Sequence, residues 1–109
     1  MNKREIGAEY EAVAASYLEN QGMVILHKNF RCRQGEVDLV GLHQGCLVFV
    51  EVKYRPTLSD GWDAITARQS VRLRNAAENY IAKNAWRGDA RFDVIVVCGW
   101  RIHWARGAI

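Results

Sequence analysis

The chain has 109 residues, half of them hydrophobic and a quarter charged, with a single proline; this is one domain's worth of sequence, able to bury about 65% of its unfolded surface, and it excludes collagen-like, proline-rich and acidic disordered classes. Fifteen Lys and Arg against 12 Asp and Glu leave a net charge of +3, too small on its own to establish a polyanionic partner. The longest apolar runs, Cys46 to Val50 and Val94 to Cys98, fall far short of the roughly 18 residues of a membrane-crossing helix. Glu5, Glu9 and Glu11 interrupt any secretory core, and three cysteines without a Cys-x-x-Cys spacing fit reduced thiols in a cytoplasmic protein.

In chain order, Ile6, Tyr10, Val13, Ala14 and Tyr17 recur at spacings of three and four, which predicts a first helix from Ile6 to about Gln21 with that set on its buried face. Gly22 is placed for a left-handed C-cap, and the run from Met23 opens a first strand reaching about Phe30. Arg31 to Gly35 reads as a polar connection. Glu36 to Leu42 then alternates with period two as a second strand, His43 to Cys46 turns, and Leu47 to Lys53 forms a third strand whose apolar first half gives way to Glu51-Val52-Lys53. Tyr54 to Trp62, which holds the proline, reads as a loop with Arg55 and Asp60 in solvent. Asp63 is the expected N-cap of a second helix ending near Trp86, with Ile65, Leu73, Ala76, Ala77, Tyr80 and Ile81 inward. Phe92 to Cys98 is expected as a strand buried on both faces, and Trp100 to Trp104 alternates like an edge strand. The order is helix, three strands, helix, two strands, without repeat or linker, which predicts an α/β fold in one domain spanning residues 1–109.

The chemistry concentrates in two charged pairs, Glu36 with Asp38 and Glu51 with Lys53, each on one face of its strand. In an antiparallel hairpin opposed residues share a face and their numbers sum to a constant. A turn of two or four residues makes that sum 89. Asp38 then faces Glu51, Glu36 faces Lys53 and Val40 faces Phe49, while Val37 with Val52 and Leu39 with Val50 meet on the reverse side. A three-residue turn would mix charge into the core on both faces, which burial disfavours. Two opposed carboxylates ~5 Å apart repel until a proton or a cation intervenes. Their hard oxygens suit magnesium or manganese, and Lys53 beside them is placed to polarise water or offset charge on a phosphoryl group. The expected chemistry is phosphodiester hydrolysis. The competing reading is a solvated Glu-x-Lys ion pair.

Gly35-Glu-Val-Asp-Leu-Val followed by Leu47-Val-Phe-Val-Glu-Val-Lys resembles the core of the bacterial YraN-like family, placed in the PD-(D/E)XK nuclease superfamily near archaeal Holliday-junction resolvases. The likeness extends to Gly7 to Leu18, with Glu11, to Asn29-Phe-Arg-Cys-Arg and to Arg91-Phe-Asp-Val-Ile. It implies a restriction-endonuclease-like αβββαβ core with a mixed sheet, flanking helices and an extra C-terminal edge strand. It also implies Asp38 and Glu51 as metal ligands, Lys53 as the catalytic lysine, and Glu11 reaching the metal from the first helix, against a solvated helix-edge role for that residue. Glu36 stands as a third acidic ligand or as the ion-pair partner of Lys53. Where the family's second helix often carries a lysine this chain has Gln69, an amide that can orient water or phosphate without supplying charge.

Arg31, Arg33, Arg55, Arg68 and Arg72, with Lys28 and Arg74, form a candidate rim for a phosphate backbone, against the alternative of an ordinary solvated face. His27, His43 and His103 lack ligand spacing and are expected at the surface, and Cys98 in the core. Trp100, Ile102 and Trp104 share a face of the last strand, either as cover or as a self-association patch. The expectation is therefore a magnesium- or manganese-dependent endonuclease acting on DNA, with branched or structured DNA and a homodimer coming from the family analogy alone. A catalytically silent nucleic-acid-binding module and a protein-interaction domain are the alternatives.

Overall fold

A computed structural model describes residues 2–109. Helix α1 (Lys3–Asn20) begins at a capping box in which the Asn2 side chain accepts from Glu5 N at 2.9 Å and Glu5 accepts from Asn2 N at 3.1 Å. It ends where Gly22, at φ +93, lets Met23 N return to Leu18 O. Its inward residues are Ala14, Ala15 and Leu18, with Tyr10 and Tyr17 packed beside them. Ile6 and Val13, expected on that face, are exposed. The small Ala14 and Ala15 let the helix settle on their side, and this rotation carries Glu11, four residues before Ala15 and seven before Leu18, toward the sheet.

Five strands follow: β1 (Val24–Cys32), β2 (Gly35–His43), β3 (Cys46–Tyr54), β4 (Ala90–Cys98) and β5 (Arg101–Ala105). They lie in chain order, with β3 and β4 parallel and every other pair antiparallel. The parallel step needs a long crossover, and the chain supplies α2 (Leu58–Asp63) and α3 (Ala67–Asn84). This is the mixed α/β architecture the sequence predicts, with a C-terminal strand at the edge.

Three local features depart from expectation. The segment Tyr54 to Trp62 contains α2, capped by Thr57, whose Oγ1 accepts from Asp60 N at 3.1 Å. The long helix is capped by Thr66 rather than Asp63, through reciprocal 3.1 Å bonds between Thr66 and Gln69. Both follow from a threonine three residues ahead of a partner. The connection between β1 and β2 is also shorter than Arg31 to Gly35, because Arg31, Cys32 and Gly35 are all paired. Gly35 is obligatory there, since a Cβ would lie 1.8 Å from the Arg72 carbonyl oxygen.

The sheet is covered on both faces. On one, Ala14, Ala15 and Leu18 of α1 pack on Leu39, Val48, Val50, Ile95 and Val97. On the other, Leu73, Ala76, Ala77 and Tyr80 of α3 pack on Phe30, Val37, Val40, Leu47 and Phe49. Leu18 is fully buried, and its truncation to Ala costs about 2–5 kcal/mol. Among the described residues no helix is long and apolar enough to cross a membrane. Ile102 and Trp104 pack on the α1-side core while Trp100 is 86% exposed, so the three do not form one open patch.

Candidate active site

Strands β2 and β3 turn through Gln44 and Gly45, at φ 51 and 78, the two positive-φ positions of a type I′ hairpin. That two-residue turn sets the pairing His43 with Cys46 through Leu39 with Val50, every pair summing to 89. The ladder ends there. At the next position the Asp38 carboxylate accepts from Val52 N at 2.7 Å, taking a donor that a strand carbonyl would otherwise use. The alternation of β2 breaks at the same point: Val37 and Val40 both face α3, with Leu39 between them facing α1. Val37 therefore does not join Val52 on the reverse side, as strict period two requires. Opposite Asp38, Asn29 of β1 has φ 54, a conformation that asparagine tolerates.

The splayed strand ends and the N-terminal half of α1 enclose a cavity of about 820 Å³. Asp38, Glu51, Lys53, Glu36 and Glu11 all line it, together with Arg31, Arg55, Asn29, Tyr10 and Tyr54. Lys53, only 9% exposed, places Nζ 3.2 Å from Glu51 Oε1. Glu36 does not pair with Lys53. It sits across from Arg31, whose Nε lies 3.5 Å from Glu36 Oε2, because Lys53 is already held by the nearer Glu51.

The electrostatics of the cavity are conflicted. Burial, and then the charge of Asp38, push the Glu51 carboxyl up to about 8 despite Lys53. Asp38 is also raised by burial, against the opposing pull of the Val52 N–H, a hydrogen bond with Glu51 and the Lys53 charge. Burial and Asp38 raise Glu11 to about 7. Acids that hold protons near neutrality because they are desolvated beside one another mark a place where a cation is electrostatically welcome. Among the described residues, no group of three or more His, Cys, Asp or Glu is already gathered for metal binding; the close acidic contact is the pair Asp38 and Glu51.

Other candidates lie elsewhere. The Gln69 amide oxygen is spent on Thr66 N and Gln69 does not line the cavity, so no role at the acidic pair follows for it. Arg33 and Arg68 are exposed and Arg72 is half-buried; none of the three lines the cavity. Of the basic rim, Arg31 and Arg55 reach it. His43 is buried rather than at the surface, its Nδ1 3.1 Å from an Arg91 amino group. Tyr10 packs on the core as the helical periodicity predicts, and Tyr54 is the last residue of β3 rather than the first of a loop; both also contribute to the cavity wall, and the position of Tyr54 directly after Lys53 is the available signal.

A fully buried carboxylate lies on β4. Asp93 accepts from Arg91 Nε at 3.0 Å, Trp104 Nε1 at 2.8 Å and Gly107 N at 2.9 Å, and the Arg106 guanidinium stands 4.2 Å from the Trp104 ring centre. This network ties β5 and the residues after it to β4.

Fold and site together define a mixed α/β domain whose central hairpin opens onto a half-buried acidic pair beside one buried lysine. The model of the family described as "Uncharacterised protein family UPF0102" matches residues 10–97, and the chain belongs to that family. A UPF0102 protein of Lachnoclostridium phytofermentans is 45% identical over 101 residues, covering 89% of this chain and 86% of the relative. Relatives of the same description from Halorhodospira halophila and Shewanella denitrificans are 41% and 42% identical, covering 96% and 93% of this chain and 87% and 95% of their own lengths. The YraN-like resemblance is met at the level of this family.

Proposed function

We propose that the chain is a metal-dependent endonuclease that hydrolyses phosphodiester bonds in DNA, branched or structured DNA being the substrate class suggested by analogy. The observation that carries this reading is the contact of two desolvated carboxyl groups, Asp38 and Glu51, with Lys53 at 3.2 Å in an open cavity. The oxygen donors fit magnesium or manganese, which bind through one or two carboxylates and complete their shell with water and substrate phosphate. When bound, such an ion supplies Lewis-acid activation of water and of the phosphoryl oxygens. Asp38 and Glu51 would hold it, and Val52 N–H fixes the Asp38 carboxylate in place. Lys53, held 3.2 Å from Glu51 at the cavity wall, would orient the attacking water or offset charge on the phosphoryl group. Glu11 is the further acid within reach, and Arg31 and Arg55 at the rim meet neighbouring phosphates. The motif likeness to the PD-(D/E)XK superfamily supports the same assignment. All of these groups come from one chain, so the reading requires no second copy.

The test is cleavage of a labelled four-way junction, a linear duplex and a single strand in magnesium or manganese. Asp38→Ala, Glu51→Ala and Lys53→Ala are each expected to lower the rate by about 100-fold or more; variants that cleave like wild type overturn the assignment. The Lys53–Glu51 ion pair favours a second reading, a DNA-binding module with a silent acidic site. Binding without cleavage in any metal selects it.

A further inference from the structure

Tyr10 of α1 and Tyr54 of β3 stack with ring centres 3.8 Å apart and planes inclined by 11°. The two residues come from different elements, and both line the cavity that holds Lys53. Tyr10 packs against the α1-side core, whereas Tyr54 is 41% exposed. The pair is thus an anchored ring stacked on a second residue that is partly exposed at the cavity wall. Its neighbour Arg55 is held beside it at two points: Arg55 Nη1 donates to the Tyr54 carbonyl at 2.6 Å, and Arg55 N donates to Val97 O at 3.2 Å. A partly exposed aromatic residue, a cation fixed next to it and Lys53 one residue away fit one nucleotide, with its base on the ring and its phosphate toward the cation.

We propose that the Tyr10–Tyr54 stack is a platform for an unpaired base, so that this site takes DNA in which a nucleotide beside the scissile phosphate is splayed out of its helix. This rests on the nuclease reading for the position of the scissile bond. A paired duplex hides its base faces in the stack and offers only their edges in the grooves. A ring face therefore selects single strands, flaps and junction branch points over continuous duplex. Any base has a face, so the platform reads exposure rather than sequence.

The experiment uses the full chain and DNA carrying 2-aminopurine, either unpaired or within a perfect duplex, with binding followed by anisotropy and by fluorescence in chelator and cleavage followed in parallel with magnesium. Wild type is expected to bind the unpaired substrate more tightly and to quench its 2-aminopurine. Tyr54→Leu, checked for an unchanged melting temperature, is expected to lose the quenching and about 5- to 100-fold of the affinity for the unpaired substrate, with duplex binding unchanged. Tyr54→Trp restores both. A stack that merely pins α1 to β3 would show in stability and leave quenching alone. Quenching that survives in Tyr54→Leu, or equal affinity of wild type for both substrates, overturns the platform and leaves the nuclease reading standing. Tyr54-dependent quenching without cleavage in any metal upholds the platform and removes the nuclease. Absence of DNA binding overturns both.

Discussion

Asp93, fully buried, and Asp38, half-buried, lie on strands of the same sheet, and their surroundings differ in kind. Asp93 is 0% exposed and receives a guanidinium, an indole N–H and a backbone N–H; its charge is balanced and its geometry fixed. Asp38 receives the Val52 N–H and then meets a second carboxyl group, with one lysine serving both. A carboxylate that is satisfied by its own fold holds elements together, as Asp93 holds β5 to β4. One that the fold leaves in conflict is available for a ligand. The contrast separates an acid satisfied by its own fold from one left open to a ligand.

Substitution at the two positions should therefore have opposite signs. Asp93→Ala strands the Arg91 charge and leaves the Trp104 N–H without its acceptor, and urea denaturation should show a loss of about 3–5 kcal/mol. Asp38→Asn removes a repulsive charge, so in metal-free buffer the same measurement should show stability preserved or raised. A clear loss at Asp38, or none at Asp93, would erase the distinction.

The pH dependence should sharpen it. Glu51 and Glu11 titrate higher in the folded chain, near 8 and 7, than their ordinary value of 4.5, so between those limits the folded state holds protons that the unfolded state has released. Their contribution is full below the ordinary value and falls as pH rises toward 8 in metal-free buffer. Glu51→Gln should flatten that decline. At His43 the sign reverses: burial, then the Arg91 charge, lower its pKa, so its contribution is present above its ordinary value of 6.5 and is lost as pH falls. Thermal melts from pH 5 to 8, with and without the two substitutions Glu51→Gln and His43→Ala, resolve the two slopes. The smallest effect is expected at the surface pair Arg31 and Glu36, 3.5 Å apart. Arg31→Ala should change stability by less than about 1 kcal/mol while reducing the salt dependence of DNA binding by about one ion.

The order of elements and the hairpin register were legible because the charged residues Glu36, Asp38, Glu51 and Lys53 alternate with apolar ones, and only a turn of even length segregates the two sets. What lay beyond Leu39, where the ladder ends, was not. The break at Asp38 comes from a side chain bonding a neighbouring strand's N–H, a tertiary event that no periodicity encodes, and it moved Val37 to the other face. Asp93 was hidden as a single acid inside an apolar run, its partners lying 2, 11 and 14 residues away in sequence. Of the inward set expected for α1, Tyr10, Ala14 and Tyr17 do pack on the core, while Ile6 and Val13 are exposed, because alanines at 14 and 15 permit a closer approach on their own side. Thr66-x-x-Gln69 was readable as a capping box, and reading it so would have removed Gln69 from the site. Glu36 was assigned by strand face alone, which cannot show that Arg31 stands opposite it on β1.

The most direct test of the central claim is calorimetric titration of the chain with manganese near neutral pH in buffers of differing ionisation enthalpy. The account predicts binding accompanied by proton release from the Asp38 and Glu51 pair, abolished in Asp38→Ala and retained in Arg33→Ala. Binding that is absent in wild type, or that persists unchanged in Asp38→Ala, would contradict it.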